Sequence, residues 1–242
     1  DDKAGIDRAA TALKSFQAEG DSPEAIASLP RLRIKDIERQ VETIPTIRTV
    51  VGGVPALSHD LFTNGIAYLD LVFDLSRIPE GLQPYVPLLA KFMTNLGAAG
   101  LDYEAMAKRL ALKTGGLSCA PAAGLTAREA VPWQKLTFHI KALYRNIPEA
   151  LALLGDILCS GDLTDLKRQT DLLAEKKNAL QAAVVPSGHL FAQRLAAASL
   201  SLPAWRNEQW RGKTQLQFLE GLSSRFKADG SGTQETLQRI KD

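Results

Sequence analysis

The sequence predicts an α+β fold, an antiparallel sheet with helices packed largely on one face, preceded by a helical arm. Three observations carry this expectation. Residues 66–74 alternate, with Ala67, Leu69, Leu71 and Phe73 on one face and Tyr68, Asp70, Val72 and Asp74 on the other. That is the period-two pattern of a strand covered on at least one side. Strand-like segments follow one another at 46–51, 54–58 and 66–74, and again at 117–121 and 131–143, without the strand–helix alternation of a parallel sheet. From Ile147 onward the pattern is helical.

The elements are taken in chain order. Residues 1–19 place Ile6, Ala9, Ala10, Leu13 and Phe16 at helical spacing, an amphipathic helix ended by Gly20 whose apolar stripe needs a partner. Asp21 to Pro45 holds prolines at 23, 30 and 45 and reads as an extended connector with one short turn at Ile34 to Arg39. Residues 1–45 thus form an arm, and 46–242 a domain. Gly52-Gly53 joins two β-branched segments into a hairpin. Thr63-Asn-Gly65 turns the chain into the 66–74 strand.

A helical segment over Pro79 to Gly97 follows, bent early by Pro84 and Pro87. Asp102 caps a helix over 103–113. The strands at 117–121 and 131–143 pair across a loop at 122–130 that holds Gly124. Thr164 caps a helix over 165–184, Pro186-Ser-Gly188 breaks it, and a small-residue helix spans 189–202. Trp205 and Trp210 flank a polar turn. Two further helices contain Leu216 to Leu222 and follow Gly230.

The chain has 242 residues, 45% hydrophobic and 23% charged, with net charge +2. This is ordinary for a globular chain with a sizeable core. It argues against a dedicated nucleic-acid binder, which shows a basic excess or stripe. No apolar run approaches a membrane span, and no targeting peptide is visible. The chain lacks an initiator Met and opens inside a helix, so it reads as cut from something longer. Its two cysteines, Cys119 in a strand and Cys159 at a helix end, do not make a disulfide framework and are expected to be buried thiols.

The motifs offer little chemistry of their own. His59, His139 and His189 lie far apart, with neither HExxH nor HxxEH around them. They read as a turn anchor, a strand-face residue and a helix-start residue; an independent enzyme built on His59 or His139 is the weakest reading. Ser118 and Cys119 follow Gly115-Gly116 without a GxSxG, so the glycines mark a tight strand entry more readily than an oxyanion hole. Lys113-Thr-Gly-Gly116 runs the wrong way for a phosphate loop. Asp70 and Asp74 share a strand face, which suits a solvated surface or a salt bridge better than paired catalytic carboxylates.

Several stretches nevertheless carry a resemblance. His59-Asp-Leu-Phe-Thr-Asn-Gly65 with Ile66 to Asp74, Pro84-Tyr-Val-Pro-Leu-Leu89, and Leu112-Lys-Thr-Gly-Gly116 resemble the third domain in the presequence-protease branch of the pitrilysin/insulinase-like zinc metallopeptidases. Pro23 to Pro30 and Ile34-Lys-Asp-Ile37 look like the connector after that family's helical hinge hairpin, and Pro186-Ser-Gly-His189 and Glu220-Gly221 also fit. The resemblance implies four related α+β domains in the parent. The first binds zinc through HxxEH plus a distal Glu, and two half-shells enclose a chamber for short unfolded peptides. This chain would be the hinge end plus a non-catalytic domain. The basic residues of the fourth domain, which help bind the substrate's C-terminus in the family, would lie outside it.

Counting back from Gly97, the HxxEH positions read Leu88-Leu-Ala-Lys91-Phe92. Apolar Leu88 and Phe92 stand for the His ligands and Lys91 for the Glu base, and a Lys cannot activate a zinc-bound water as a carboxylate does. No catalytic or metal residue is therefore carried over, and no cofactor is expected in this chain; zinc belongs to the parent's first domain. The implied partners are the other domains of the same polypeptide and unfolded peptide substrates, with no nucleic acid and no membrane. The implied location is a bacterial cytoplasm or periplasm, or an organelle matrix. Strands 66–74 and 115–121 are expected to face the chamber. The arm's stripe (Ile6, Leu13, Phe16) would pack on the hinge hairpin's missing first helix; in isolation it is expected to self-associate or stay mobile. The alternative is a stand-alone, catalytically silent interaction or processing-subunit-like protein of the same fold.

Overall fold

The computed structural model describes residues 3–40, 43–228 and 230–242, with backbone only for Lys227 and Ala228. The chain divides into two compact units, Asp1–Leu61 and Phe62–Asp242.

The first unit holds α1 (Lys3–Ala18), α2 (Pro23–Ser28), a 3-10 turn (Ile34–Asp36), β1 (Ile47–Val51) and β2 (Val54–Ser58). No residue of α1 is buried, and Ile6, Leu13 and Phe16 lie exposed. Helix α2 corrects the expectation of an extended connector. Ser22 Oγ accepts from the Ala25 N–H at 3.1 Å, and Pro23 sits at the first helical position, so a cap and a preset φ start a short helix despite the flanking prolines. Gly52 and Gly53 take φ of 58° and 83°, the left-handed pair that a two-residue hairpin turn requires. β1 pairs antiparallel with β2 from Ile47↔Ser58 to Val51↔Val54. The hairpin falls inside the first unit, ahead of the Leu61 boundary, whereas the sequence places the division at 45.

The second unit is built on a three-stranded antiparallel sheet of order β3-β5-β4, with β3 at Ile66–Asp74, β4 at Gly116–Leu125 and β5 at Pro132–Leu143. Its helices are α3 (Val86–Met93), α4 (Tyr103–Lys113), α5 (Ile147–Ser160), α6 (Leu166–Ala183), α7 (Gly188–Ala197), α8 (Leu202–Arg211), α9 (Lys213–Ala228) and α10 (Ser231–Lys241). On β5, Leu136, Phe138, Ile140 and Ala142 are buried while Lys135, His139 and Lys141 are exposed. One sheet face therefore packs on helices and the other faces outward, as the alternation predicts. Helices α3, α5, α6, α8, α9 and α10 complete one continuous core with this face.

Local differences from the sequence reading have identifiable causes. The segment after Pro79 is a 3-10 turn over Glu80–Tyr85 that passes into α3, because Pro84 cannot donate to a regular α-helical ladder. β4 runs on to Leu125, shortening the expected 122–130 loop; Gly124 stays in the strand because the Trp133 ring covers it, and an added Cβ would lie 2.5 Å from that ring. Asp165, not Thr164, caps α6 by accepting from the Arg168 N–H at 2.9 Å, while Thr164 bonds to Asp162. The expected 189–202 helix ends at Ala197, and Ser201 caps α8 through the Ala204 N–H. Trp205 and Trp210 consequently lie on one helix, not around a polar turn. Cys159 is exposed, which corrects the reading of two buried thiols; it sits on the last turn of α5, where the helix leaves the core.

Candidate functional site

Helix α3 carries Leu88, Lys91 and Phe92, the positions that the sequence reading sets against HxxEH, and its sequence dictates what they do. Val86, Leu88, Leu89, Phe92 and Met93 give the helix a nearly continuous apolar surface, and Pro87 sits in its first turn. Leu88 and Phe92 are each 0% exposed and belong to the core. Lys91 points elsewhere. Its Nζ lies 2.8 Å from Glu175 Oε1 on α6, and the hydrogen bond from Lys91 holds the Glu175 carboxyl below its ordinary range. The residues present do not fit zinc: two offer hydrocarbon and the third offers a paired cation, where a site needs imidazole, thiolate or carboxylate donors. Among the described residues no group of three or more His, Cys, Asp and Glu is placed to hold a metal ion.

The sheet's outer face brings together residues that the sequence considers singly. Asp70 on β3, His139 on β5 and Ser118 on β4 share one row of the register. His139 Nδ1 lies 2.7 Å from Asp70 Oδ1. Despite the order Asp, His, Ser, this is no nucleophile. Ser118 makes no hydrogen bond with His139 among the described residues, and the pair is about half exposed. The backbone donors beside it are also engaged, Gly115 N–H with the Lys141 carbonyl and Gly116 N–H with Thr114 Oγ1. Neither N–H is free to form an oxyanion hole. Gly116 takes φ of 130°, so the Gly-Gly pair is a strand entry. Asp74 accepts from the Ser76 hydroxyl and N–H, which hold its carboxyl below its usual range; it is not paired with Asp70.

The other histidines are dispersed. His59 Nδ1 lies 3.1 Å from Thr46 Oγ1 and 3.2 Å from the Pro45 carbonyl, tying the base of the hairpin. His189 is exposed on the first turn of α7.

Sequence reasoning misses a cavity of about 370 Å³ between α3, α6, α8 and β4, where Lys91, Lys176 and Arg211 converge beside Trp210. These cations lie far apart in the chain, so no local spacing announces them. It also misses the buried guanidinium of Arg206, which binds Glu80 and Gln134; only a polar residue on an otherwise buried helix face could have hinted at it.

Comparison with known proteins gives a consistent result. Residues 1–222 match the family described as Peptidase M16-C associated. The chain is similar to presequence protease 1, chloroplastic/mitochondrial, of Arabidopsis thaliana, 29% identical over 241 residues covering 100% of this chain and 22% of that protein. It is similar to the mitochondrial presequence protease of Danio rerio, 31% identical over 214 residues covering 88% of this chain and 21% of that protein. It is also similar to Protein HypA of Clostridium perfringens, 28% identical over 233 residues covering 95% of this chain and 24% of that protein. The chain thus spans less than a quarter of the length of each of these relatives. With the match running through both units, the chain belongs to the Peptidase M16-C associated family and resembles presequence proteases over nearly its whole length.

Proposed function

We propose that this chain is a non-catalytic structural domain of a zinc-dependent metalloendopeptidase that degrades short unfolded peptides inside a closed chamber. In this reading it supplies chamber wall and contacts between half-shells. The zinc is held in a separate domain of the parent polypeptide, and the other domains and the unfolded substrate are its partners. The location follows the parent, an organelle matrix or a bacterial cytoplasm or periplasm. Among the described residues no helix is long and apolar enough to cross a membrane. Strand β3 and the first half of β4 are the proposed chamber-facing segments.

One observation carries the reading. Leu88 and Phe92, which the resemblance sets against the His ligands, are both fully buried, and Lys91, set against the Glu base, pairs with Glu175. A helix whose residues at those positions serve the core and an ion pair supports a scaffold role within a peptidase family.

The test compares this chain with a longer polypeptide that contains it and an HxxEH segment. Zinc content and hydrolysis of an unstructured peptide are measured on both. The reading expects one zinc and turnover in the longer protein, and neither in this chain. Stoichiometric zinc or turnover in this chain alone would overturn it.

A further inference from the structure

The cationic cavity has chemistry that a scaffold does not require. Lys176 on α6 is half-buried, and its amine has no hydrogen-bond or ion-pair partner among the described residues. A buried ammonium without a partner is costly and marks a place where a counter-charge belongs. Its neighbours worsen the balance. Arg211 on α8 is a second cation, whose Nη2 donates to the Pro121 carbonyl at 2.5 Å. Lys91 on α3 is a third, paired with Glu175, and no carboxylate is among the residues that line the cavity.

The fourth wall is the outer edge of β4, and the register shows which of its backbone groups are free. Leu75 N–H bonds to Gln134 O and Thr126 N–H to Val131 O, so even-numbered residues of β4 pair inward with β5. Odd-numbered ones turn outward. The carbonyls of Pro121 and Ala123 do so, and α8 covers them through Arg211 and Asn207. Leu117 and Cys119 also turn outward, line the cavity, and have no outward backbone partner among the described residues. An open strand edge offers alternating donors and acceptors to an extended chain.

We propose that this cavity binds the carboxylate of an extended peptide, held by Lys176 with Arg211 and Lys91 while the backbone of Leu117 and Cys119 pairs with the peptide. The charge calls for an anion, and the open edge beside it calls for a peptide rather than a free ion. Burial, with repulsion from Lys91 and Arg211, lowers the Lys176 amine to about 8, so the site is poised to gain from an arriving carboxylate. The titratable groups that line the cavity with this amine are Lys91 from α3, Arg211 from α8 and the Cys119 thiol from β4, which burial pushes up to about 12; Glu175 on α6 is paired with Lys91. Only Lys176 changes charge near neutrality among the shifted groups here. Affinity should therefore fall as pH rises through about 8.

The experiment titrates the 242-residue chain with acetyl-Thr-Val-Thr-Val as free acid, the same peptide as C-terminal amide, and amidated acetyl-Thr-Glu-Thr-Val. Calorimetry gives the affinity, and amide chemical shifts locate the contact. At least one carboxylate peptide should bind at least about tenfold more tightly than the uncharged amide, with shifts at Leu117 and Cys119. The free acid binding best assigns the seat to a C-terminus, the Glu peptide to an acidic side chain, and both outcomes support the proposal. Lys176→Met should weaken binding about tenfold, Lys176→Arg should restore most of it, and the exposed Lys108→Met should change nothing. Equal binding of the uncharged amide, no effect of Lys176→Met, or displacement of peptide by equimolar inorganic phosphate would each overturn it.

Discussion

Arg206 closes two guanidinium nitrogens on the carboxylate of Glu80, Nη2 to Oε2 at 2.7 Å and Nη1 to Oε1 at 2.9 Å. The partners are unequal: the Arg206 side chain is 3% exposed and that of Glu80 is 61% exposed. Arg206 Nε also donates to Gln134 Oε1 at 2.7 Å. One buried cation thus joins α8, the centre of the sheet and the 3-10 turn ahead of α3. Glu80 is its counter-charge, drawn from the solvent side.

Glu80→Gln should destabilise the chain by about 1–2 kcal/mol in urea titrations. Breaking a fully buried pair costs roughly 3–5 kcal/mol because a charge is left unpaired, and the exposure of Glu80 screens part of that. The pH dependence has a fixed sign. The Arg206 hydrogen bond, helped by Trp205, holds the Glu80 carboxyl below its ordinary 4.5. Its contribution is therefore complete above that value and disappears as pH falls through the lower folded one. The stability gap between wild type and Glu80→Gln should close in acid; a gap independent of pH would show that the pair is not its source.

Gly212 is confined by a buried carboxylate. An added Cβ would lie 1.7 Å from Glu208 Oε2, and Glu208 is 0% exposed. That side chain cannot swing aside freely, because its Oε1 accepts from the Thr214 N–H at 3.0 Å at the start of α9. Gly212→Ala should cost about 2–3 kcal/mol through overpacking and a displaced cap. The cycle with Glu208→Ala should be non-additive, the double variant losing less than the two single changes combined. Strict additivity would mean that α8 and α9 part without needing that contact.

How much of the molecule is legible in the sequence depends on range. The strand over 66–74, the Gly52-Gly53 hairpin and the Asp102 cap are set by neighbouring residues, and the structure has them, although Leu69 and Phe73 on the apolar face of β3 stay exposed. Helix α2 escapes because the prolines around it outweigh the Ser22-Pro23 start signal. Trp205 and Trp210 read as flanking a turn because polar Asn207, Glu208 and Gln209 between them look solvent-facing; Glu208 and Gln209 are in fact buried in side-chain networks. For the site, Leu88 and Phe92 read as apolar and Lys91 as charged within five consecutive residues, and the structure buries the first two and pairs the third. The cavity around Lys176 is not, since tertiary packing alone brings α3, α6 and α8 to one edge of β4.

The two thiols should react very differently. Cys159 is exposed at the end of α5, whereas Cys119 faces the helices from β4, with burial raising its thiol to about 12. The thiolate is the reactive form. At a pH of about 8, near the ordinary thiol range, an aromatic disulfide reagent should show one fast and one slow phase. Cys159→Ser should abolish the fast phase and Cys119→Ser the slow one. Two equally fast thiols would mean that the β4 edge opens readily in solution.

Lys176 should weaken the fold in which it sits. Burial first, then Lys91 and Arg211, lower its amine from 10.5 to about 8. The unfolded chain therefore holds this proton more tightly than the folded one. Below about 8 the full cost applies, and between about 8 and 10.5 the folded state gains stability as pH rises, because the unfolded state binds more protons there. Lys176→Met keeps the hydrocarbon stem and removes the charge, so it should stabilise the chain by roughly 1–3 kcal/mol at about pH 7. Its advantage over wild type should shrink as pH approaches 10.5, measured as the difference in thermal midpoints. A Met variant no more stable than wild type at neutral pH would mean that the amine finds water or a counter-charge in solution. A stabilised variant that also loses the peptide carboxylate would show that stability has been given up here to keep a charge in place.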